Sequence, residues 1–330
     1  MIQRREFIAV LGGAAPWPLA ASAQQRTLPV IGILGSTTAK AAAPFVSDFM
    51  QGLKDTGFVE GQNIAIEAHW ANDQYDRLPA MAAELVRARV ALIFAFGNNL
   101  PTRAAKNATS TIPIVFGMGA DPVQLGIVDG LSRPGGNVTG VYTMTEEMNP
   151  KRLALLKEVA PSVHRVGVLL RQDFPSEGIA KRDWQNAELA AHQLELELLA
   201  LNVRTANEIT TAFDQASANG VQGIITFRNP TVVTYLEIIA GLSRKRRLPA
   251  MFDAREYVEA GGLMSYGPNI DRSYRQLATY AYKLLHGTPV SNLPIEQPTT
   301  FELVINKHTA SDIGISIPSS LLTRADKVIE

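Results

Sequence analysis

The chain has 330 residues, 31 basic and 31 acidic side chains, 46% hydrophobic residues and no cysteine. The balanced charge gives no field to gather nucleic acid or an anionic lipid surface. The missing cysteines exclude disulfides, thiol catalysis and a lipid tether built on a cysteine at a cleavage site.

The first 23 residues read as an address. Arg4 and Arg5 make a charged start, and the apolar stretch Ile8 to Leu19 is short and broken by Pro16 and Pro18. A membrane-spanning helix needs about 20 apolar residues, so this one is a signal core rather than an anchor. Ala21-Ser22-Ala23 puts small residues where a signal peptidase cuts, which predicts a mature start at Gln24. Arg4-Arg5-Glu6-Phe7-Ile8 looks like a twin-arginine signal, with an ordinary Sec signal as the alternative. Residues 24–330 then carry 29 basic and 30 acidic side chains, and no stretch among them reaches 18 uninterrupted apolar residues.

After the signal, short apolar strands alternate with helical periodicity. "VIGIL" starts at Val30, and Phe45, Val46, Phe49, Met50 and Leu53 share one face of a helix that ends at Gly57. "NIAIEAHW", "ALIFAFG" and "IPIVFG" follow, each separated by a helix. The series restarts with "RVGVLL", then "LELELLALN", "GIITFRN" and "LPAMFD". Predicted strands begin near residues 30, 64, 92 and 113, and again near 166, 197, 223 and 249. Two strand–helix series imply two doubly wound α/β lobes, each with a parallel sheet covered on both faces. The Gly-rich stretch Gly135 to Gly140 marks the boundary between them.

Ligands of such sheets bind outside the carboxyl ends of the strands. The loops there hold donors and acceptors, Ser36, Thr37, Asn98, Asn99, Asp121, Asn229 and Asp253, with Trp70, Phe96, Phe116, Phe227 and Phe252 nearby. This mixture suits a small polar solute with an apolar part. Helix starts offer N–H groups to a carboxylate, and Asp121 or Asp253 suits an ammonium. Asn99 and Asp253 are expected to grip opposite ends of one solute. Several of these residues are also good helix caps, which is the competing account of Ser36, Asn98, Asn99, Asp121 and Asp253. No nucleophile–base pair, nucleophile elbow or Walker loop is present, "GMGADP" has Pro122 at the third fingerprint position, and the five histidines lack metal-ligand spacing. Neither enzyme chemistry, nor a metal, nor a cofactor is called for.

The stretches "IPIVFGMGADPVQLGIV", "SRPGGNVTGV", "EYVEAGGLMSYGPNI", "LPIEQPTTFELVINKHTASDIGISIP" and "LLTRADKVIE" carry a resemblance that runs over the whole chain after the signal. The sequence resembles the ABC transporter substrate-binding proteins of the tryptophan/tyrosine type, with a type I periplasmic binding fold. The resemblance implies two lobes joined by three crossovers, the first from residues 24–140 plus about 266–290, the second from 141–265 plus about 291–330. It implies ligand loops at Gly35 to Thr37, Gly97 to Asn99, Ala120 to Pro122 and Asn229 to Pro230, joined by Asp253 and the Ser265-Tyr266 crossover. It also implies a periplasmic, non-enzymatic monomer that binds a small polar solute, such as an amino acid or related carboxylate, and delivers it to permease subunits in the inner membrane, with no nucleic-acid partner. A ligand-sensing module for a signalling partner is the alternative. A periplasmic α/β enzyme is a weaker one, since the loops supply only isolated Asp121 and Asp253.

N-terminal sequencing of the exported protein is expected to begin at Gln24. Replacing Arg4 and Arg5 with lysine should hold precursor in the cytoplasm, and normal export of that variant rejects the twin-arginine route.

Overall fold

The computed structural model describes residues 28–171 and 179–330. The proposed signal segment and residues 172–176 of the "RQDFPS" loop lie outside the described residues.

In chain order the elements are β1 Val30–Gly35, α1 Ala39–Asp55, β2 Ala65–Trp70, α2 Leu78–Arg87, β3 Leu92–Phe96, α3 Asn99–Ala108, β4 Ile114–Met118 and β5 Val138–Tyr142. The second series is α4 Asn149–Val159, β6 Arg165–Leu170, α5 Ile179–Gln193, β7 Glu197–Asn202, α6 Ala206–Ala218, β8 Gly223–Thr226, α7 Pro230–Thr234, α8 Leu236–Lys245, β9 Ala250–Phe252, α9 Arg255–Glu259 and β10 Met264–Pro268. The chain then runs through α10 Ile270–Leu285, β11 Phe301–Asn306, α11 Lys307–Ile313, α12 Ser319–Arg324 and β12 Lys327–Ile329.

The strands form two sheets. The first has the order β2-β1-β3-β4-β5, and the second β12-β11-β10-β9-β8-β6-β7. Every pairing is parallel except β10 with β11. These are the two doubly wound α/β lobes of a type I periplasmic binding fold. β3 and β4 are buried along their whole length, as a strand covered on both faces must be. Phe49 of α1 stacks on Phe94 of β3 at 4.2 Å, fixing one helical layer to the first sheet. α10 packs beside α1, so residues far along the chain complete the first lobe. No described helix is long and apolar enough to cross a membrane.

Four strands lie where no strand is predicted: β5, β10, β11 and β12. Glycines at 135, 136 and 140 mask β5, and Val138–Tyr142 is the edge strand of the first sheet rather than a turn. The chain passes between sheets at residues 143–148, at Asn269, and at residues 297–300. Pairing of β10 with β9 puts 266–268 in the second sheet, whereas 291–296 stay with the first. There Thr139 Oγ1 donates to Leu293 O at 2.8 Å, and Tyr142 N donates to Glu296 O at 2.9 Å.

One side chain ties the first crossing to β10, the strand that leads into the second. Arg152, in α4, is fully buried. It donates to Thr145 O in the first crossing (2.7 Å), to Tyr266 O in β10 (2.7 Å) and to Asn149 Oδ1 (2.8 Å). Burial pushes its pKa down to about 10, opposed by the charge of Asp253. It therefore stays protonated at neutral pH and the guanidinium remains a donor.

Gly140 holds β5 against β4. Its φ is +153°, and a Cβ there would lie 2.0 Å from Phe116 O. Gly140→Ala should cost about 3 kcal/mol in urea unfolding, since backbone rather than a flexible side chain must give way. Gly136→Ala, at φ +58° in open space, should cost only about 1–2 kcal/mol.

Candidate functional site

In each sheet the strand order reverses once, between β1 and β3 in the first lobe and between β6 and β8 in the second. Chains leaving the two strands at such a point turn to opposite faces and leave a crevice. Both crevices open onto one interlobe cleft of about 1080 Å³, including its mouth. Thr37, Asn98 and Asn99 reach it from the first reversal, and Leu170, Arg171, Arg228 and Asn229 from the second.

The lobes touch across this cleft. Thr37 Oγ1 lies 3.4 Å from Thr234 Oγ1 of α7, and Val233 packs against the first-lobe core. Arg171 Nη1 donates to Tyr75 Oη at 3.2 Å, with its guanidinium 5.4 Å from the Tyr75 ring centre. Tyr75 Oη in turn meets Asp73 Oδ1 at 3.4 Å. This is a closed arrangement.

One wall is aromatic. Phe45, Phe96 and Tyr274 line the cleft, with ring centres 5.3 to 6.0 Å apart. Burial pushes the Tyr274 hydroxyl up to about 12, so it is neutral.

The predicted residues separate into those that line the cleft and those that support it. Asn98 caps α3, accepting from Leu100 N at 2.8 Å, and donates to Ser36 Oγ at 3.0 Å. Ser36 is fully buried behind Gly97 and does not line the cleft, because its hydroxyl is occupied by Asn98 and the Phe96 carbonyl. Asn99 is 3% exposed, lines the cleft, and its Nδ2 has no hydrogen-bond partner. Asn229 caps α7, accepting from Val232 N at 3.2 Å and donating to Phe227 O at 2.9 Å, while also lining the cleft.

Besides Ser36, three expectations are corrected. Asp121 is spent on its own turn, accepting from Val123 N (2.8 Å) and Gln124 N (3.3 Å), and it lines a smaller neighbouring hollow instead. Tyr266 lies in β10 with its ring stacked on Phe301, and only its carbonyl has a role here, as acceptor from Arg152. Asp253 is fully buried and does not reach the cleft. It is not a helix cap either, since α9 begins from Ala254 with no side-chain cap. Its carboxylate takes Arg228 Nη1 at 2.5 Å and Thr226 Oγ1 at 3.3 Å.

Arg228 is the residue that sequence reasoning passed over. β8 pairs with β9 as Ile225 with Met251, so Arg228 and Asp253 leave neighbouring strands side by side. Burial works against the Arg228 charge, but the charge and hydrogen bond of Asp253 outweigh it and raise its pKa. A fixed cation thus faces the cleft with its counter-ion behind it.

Two carboxyl groups line the same cleft, Glu146 in the first crossing and Asp183 in α5. Burial pushes Glu146 well above the usual carboxylate range, helped by the charges of Asp183 and Glu147 and opposed by Arg182. Burial likewise lifts Asp183 to about 7, with Glu147 adding and Arg182 and Arg152 opposing. Thr145, 1% exposed, also lines the cleft with a partnerless hydroxyl. No group of three or more metal-binding side chains occurs among the described residues.

The comparisons agree with this geometry. Residues 31–329 match the family described as ABC transporter substrate binding protein. The chain is 27% identical over 264 residues to a tyrosine-binding protein of Clostridioides difficile strain R20291, covering 79% of this chain and 74% of that one. Among solved structures it is similar to a conserved domain protein of Vibrio cholerae, with 26% identity, TM-score 0.80, and 91% and 99% of the two chains covered. The fold is also that of a Streptococcus pneumonia ABC domain solved with L-Trp, at TM-score 0.78 and 23% identity over 92% and 100% of the chains. A two-lobed cleft built at paired switch points, on a chain matched from residue 31 to residue 329, identifies a solute receptor: the protein belongs to the ABC transporter substrate-binding family.

Proposed function

We propose that the cleft binds a small carboxylate-bearing solute with an apolar body, the class that includes the aromatic amino acids. The reading rests on Asn99. A buried amide donor without a partner is unfavourable by about 1–3 kcal/mol, and this one sits in the first turn of α3, where the helix start already favours an anion. Arg228 faces the same space from the second lobe, so one carboxylate meets both lobes. The wall of Phe45, Phe96 and Tyr274 takes the apolar body. The tyrosine-binding relative supports this class.

The family supplies the setting. Its members are solute-binding proteins rather than enzymes, are typically exported to the periplasm, and deliver solute to a membrane permease. For this chain we place the cleavage after Ala23 and the working form as a monomer.

Two measurements test the reading. Mass spectrometry of small molecules released from natively purified protein should find a carboxylate with an apolar side chain. Asn99→Ala should then weaken calorimetric binding of that compound by about 10- to 150-fold, the worth of a charge-assisted hydrogen bond, with little change in the apo melting temperature. A released solute lacking any acidic group, or unchanged affinity in Asn99→Ala, rejects it.

Asp253→Ala separates support from contact. It leaves Arg228 without its buried partner, so the apo protein should lose about 3 kcal/mol and bind the solute more weakly at the same time. Loss of affinity with an unchanged apo melting temperature contradicts the supporting role.

A further inference from the structure

One contact between the lobes is made outside the cleft wall. Tyr75 and Asp73 do not line the cleft, yet Tyr75 Oη accepts from Arg171 Nη1 of the second lobe at 3.2 Å and meets Asp73 Oδ1 at 3.4 Å. The Arg171 guanidinium lies 5.4 Å from the Tyr75 ring centre, within cation–π range. The phenol thus stands between a cation of one lobe and a carboxylate of the other. Burial pushes the Asp73 carboxyl up and the charge of Arg171 opposes that rise, so the cation acts on the carboxylate behind the phenol.

The backbone that presents Tyr75 is strained. Asn72 and Asp73 are consecutive left-handed residues, at φ +52° and +61°. That conformation is unfavourable for a residue with a Cβ, though less so for asparagine and aspartate. The loop that leaves β1 holds the turn in place. Ala71 N donates to Gly35 O at 2.9 Å, Asn72 N to Thr37 O at 3.3 Å, and Asp73 N to Ser36 O at 2.9 Å. Tyr75 follows two residues later and is therefore fixed relative to the cleft loop at Thr37. Strained backbone of this kind persists where the surrounding structure over-determines it, typically at clamps and switch regions.

Position explains what the contact can do. β2, which ends just before this turn, is the edge of the first sheet opposite β5, the strand that enters the first crossing. Four strand spacings, about 19 Å, separate them. Arg171 directly follows β6, which lies three spacings, about 14 Å, from β10 and the second crossing. Tyr75 and Arg171 therefore meet on the side of the cleft remote from these crossings. A rotation of the lobes displaces points in proportion to their distance from the axis, so this pair parts early on opening. We propose that Asp73, Tyr75 and Arg171 form a rim clasp that sets how fast the closed cleft opens, and so how long a solute is held, without Tyr75 or Asp73 touching the solute. The clasp works whatever solute the cleft takes.

The chain has no cysteine, so an introduced pair reports only on itself. Thr37 and Thr234, whose hydroxyl oxygens lie 3.4 Å apart across the cleft, are both replaced by cysteine. In the empty protein under a weak oxidant, the rate of disulfide formation then reads the closed population. Tyr75→Phe keeps the ring and removes the hydroxyl. It should slow this trapping by about 3- to 10-fold, the worth of one partly exposed hydrogen bond, with the apo melting temperature unchanged. In an Arg171→Gln background the same substitution should change trapping by about twofold or less, because its partner is already gone. Without the introduced cysteines, protein loaded with L-tyrosine or L-tryptophan and diluted in a stopped-flow cell should release the amino acid faster in Tyr75→Phe by the same factor, at an unchanged association rate. Should Tyr75→Phe fail to fold, Asp73→Asn serves, with the same readouts. Undiminished trapping, or an equal loss with and without Arg171, overturns the clasp. Failure of both amino acids to bind overturns the solute class proposed above, while the trapping rates still decide the clasp.

Discussion

Asp253 lies at the centre of the electrostatics of this molecule. It is fully buried, and its charge acts on two guanidiniums, the partly exposed Arg228 at the cleft and the buried Arg152 behind the first crossing. An isolated carboxylate in such a place is strongly unfavourable, and so is an isolated guanidinium. Together they hold the second-lobe switch point and the interlobe connection in one charge network. The Asp253 carbonyl adds a steric condition, since a Cβ at Gly267 would lie 1.9 Å from it. Glycine at 267 therefore lets β10 run close to the end of β9. The cleft cation and the crossing strap are thus parts of one assembly rather than two separate features.

Around that centre, the two lobes solve the same problem in the same way. Each reverses its strand order at the strand that opens its series, β1 in one and β6 in the other. The reversal opens a crevice that local chain geometry cannot close. Setting two such crevices face to face gives a cavity lined by loop residues whose positions are fixed by buried strands. The helix starts at Asn98 and Asn229 then do two jobs. Their side-chain oxygens satisfy helix N–H groups while the residues still line the cleft. Capping and site membership are not alternatives at these positions, because a cap at a switch point is already at the cleft wall.

The sheets were largely legible in the sequence because buried parallel strands read as continuous apolar runs between turn signals. β5 was not, since three glycines dilute its pattern, and β11 and β12 follow the crossings where the repeating series ends. Within the candidate site, legibility depended on whether a residue acts through local geometry. Thr37, Asn98, Asn99 and Asn229 directly follow strands, and the structure places them on the cleft wall. Asp253 also follows a strand, but its fate depends on Arg228 from the neighbouring strand, a pairing that only the register reveals. Glu146 and Asp183 were missed altogether. One sits in a crossing and the other inside a helix, and neither follows a strand.

The closed cleft carries two opposed sets of interactions, and their balance explains why closure can report on a ligand. Val233 packing on the first-lobe core, the Thr37–Thr234 contact and the Tyr75–Arg171 contact all favour the closed form. They are few and partly exposed, so their sum is small. Against them stand the orphaned Asn99 amide and Thr145 hydroxyl, each unfavourable by about 1–3 kcal/mol while unpaired, and the crowded carboxylates. When the lobes part, water can satisfy all of these groups. Closing without a ligand removes that water and supplies nothing in its place. A solute that pairs the amide, the hydroxyl and the charges reverses the sign of those contributions, and its differential affinity for the closed form is what shifts the equilibrium. On the proposed reading, the polar atoms left unsatisfied in the closed protein oppose closure until a ligand pairs them.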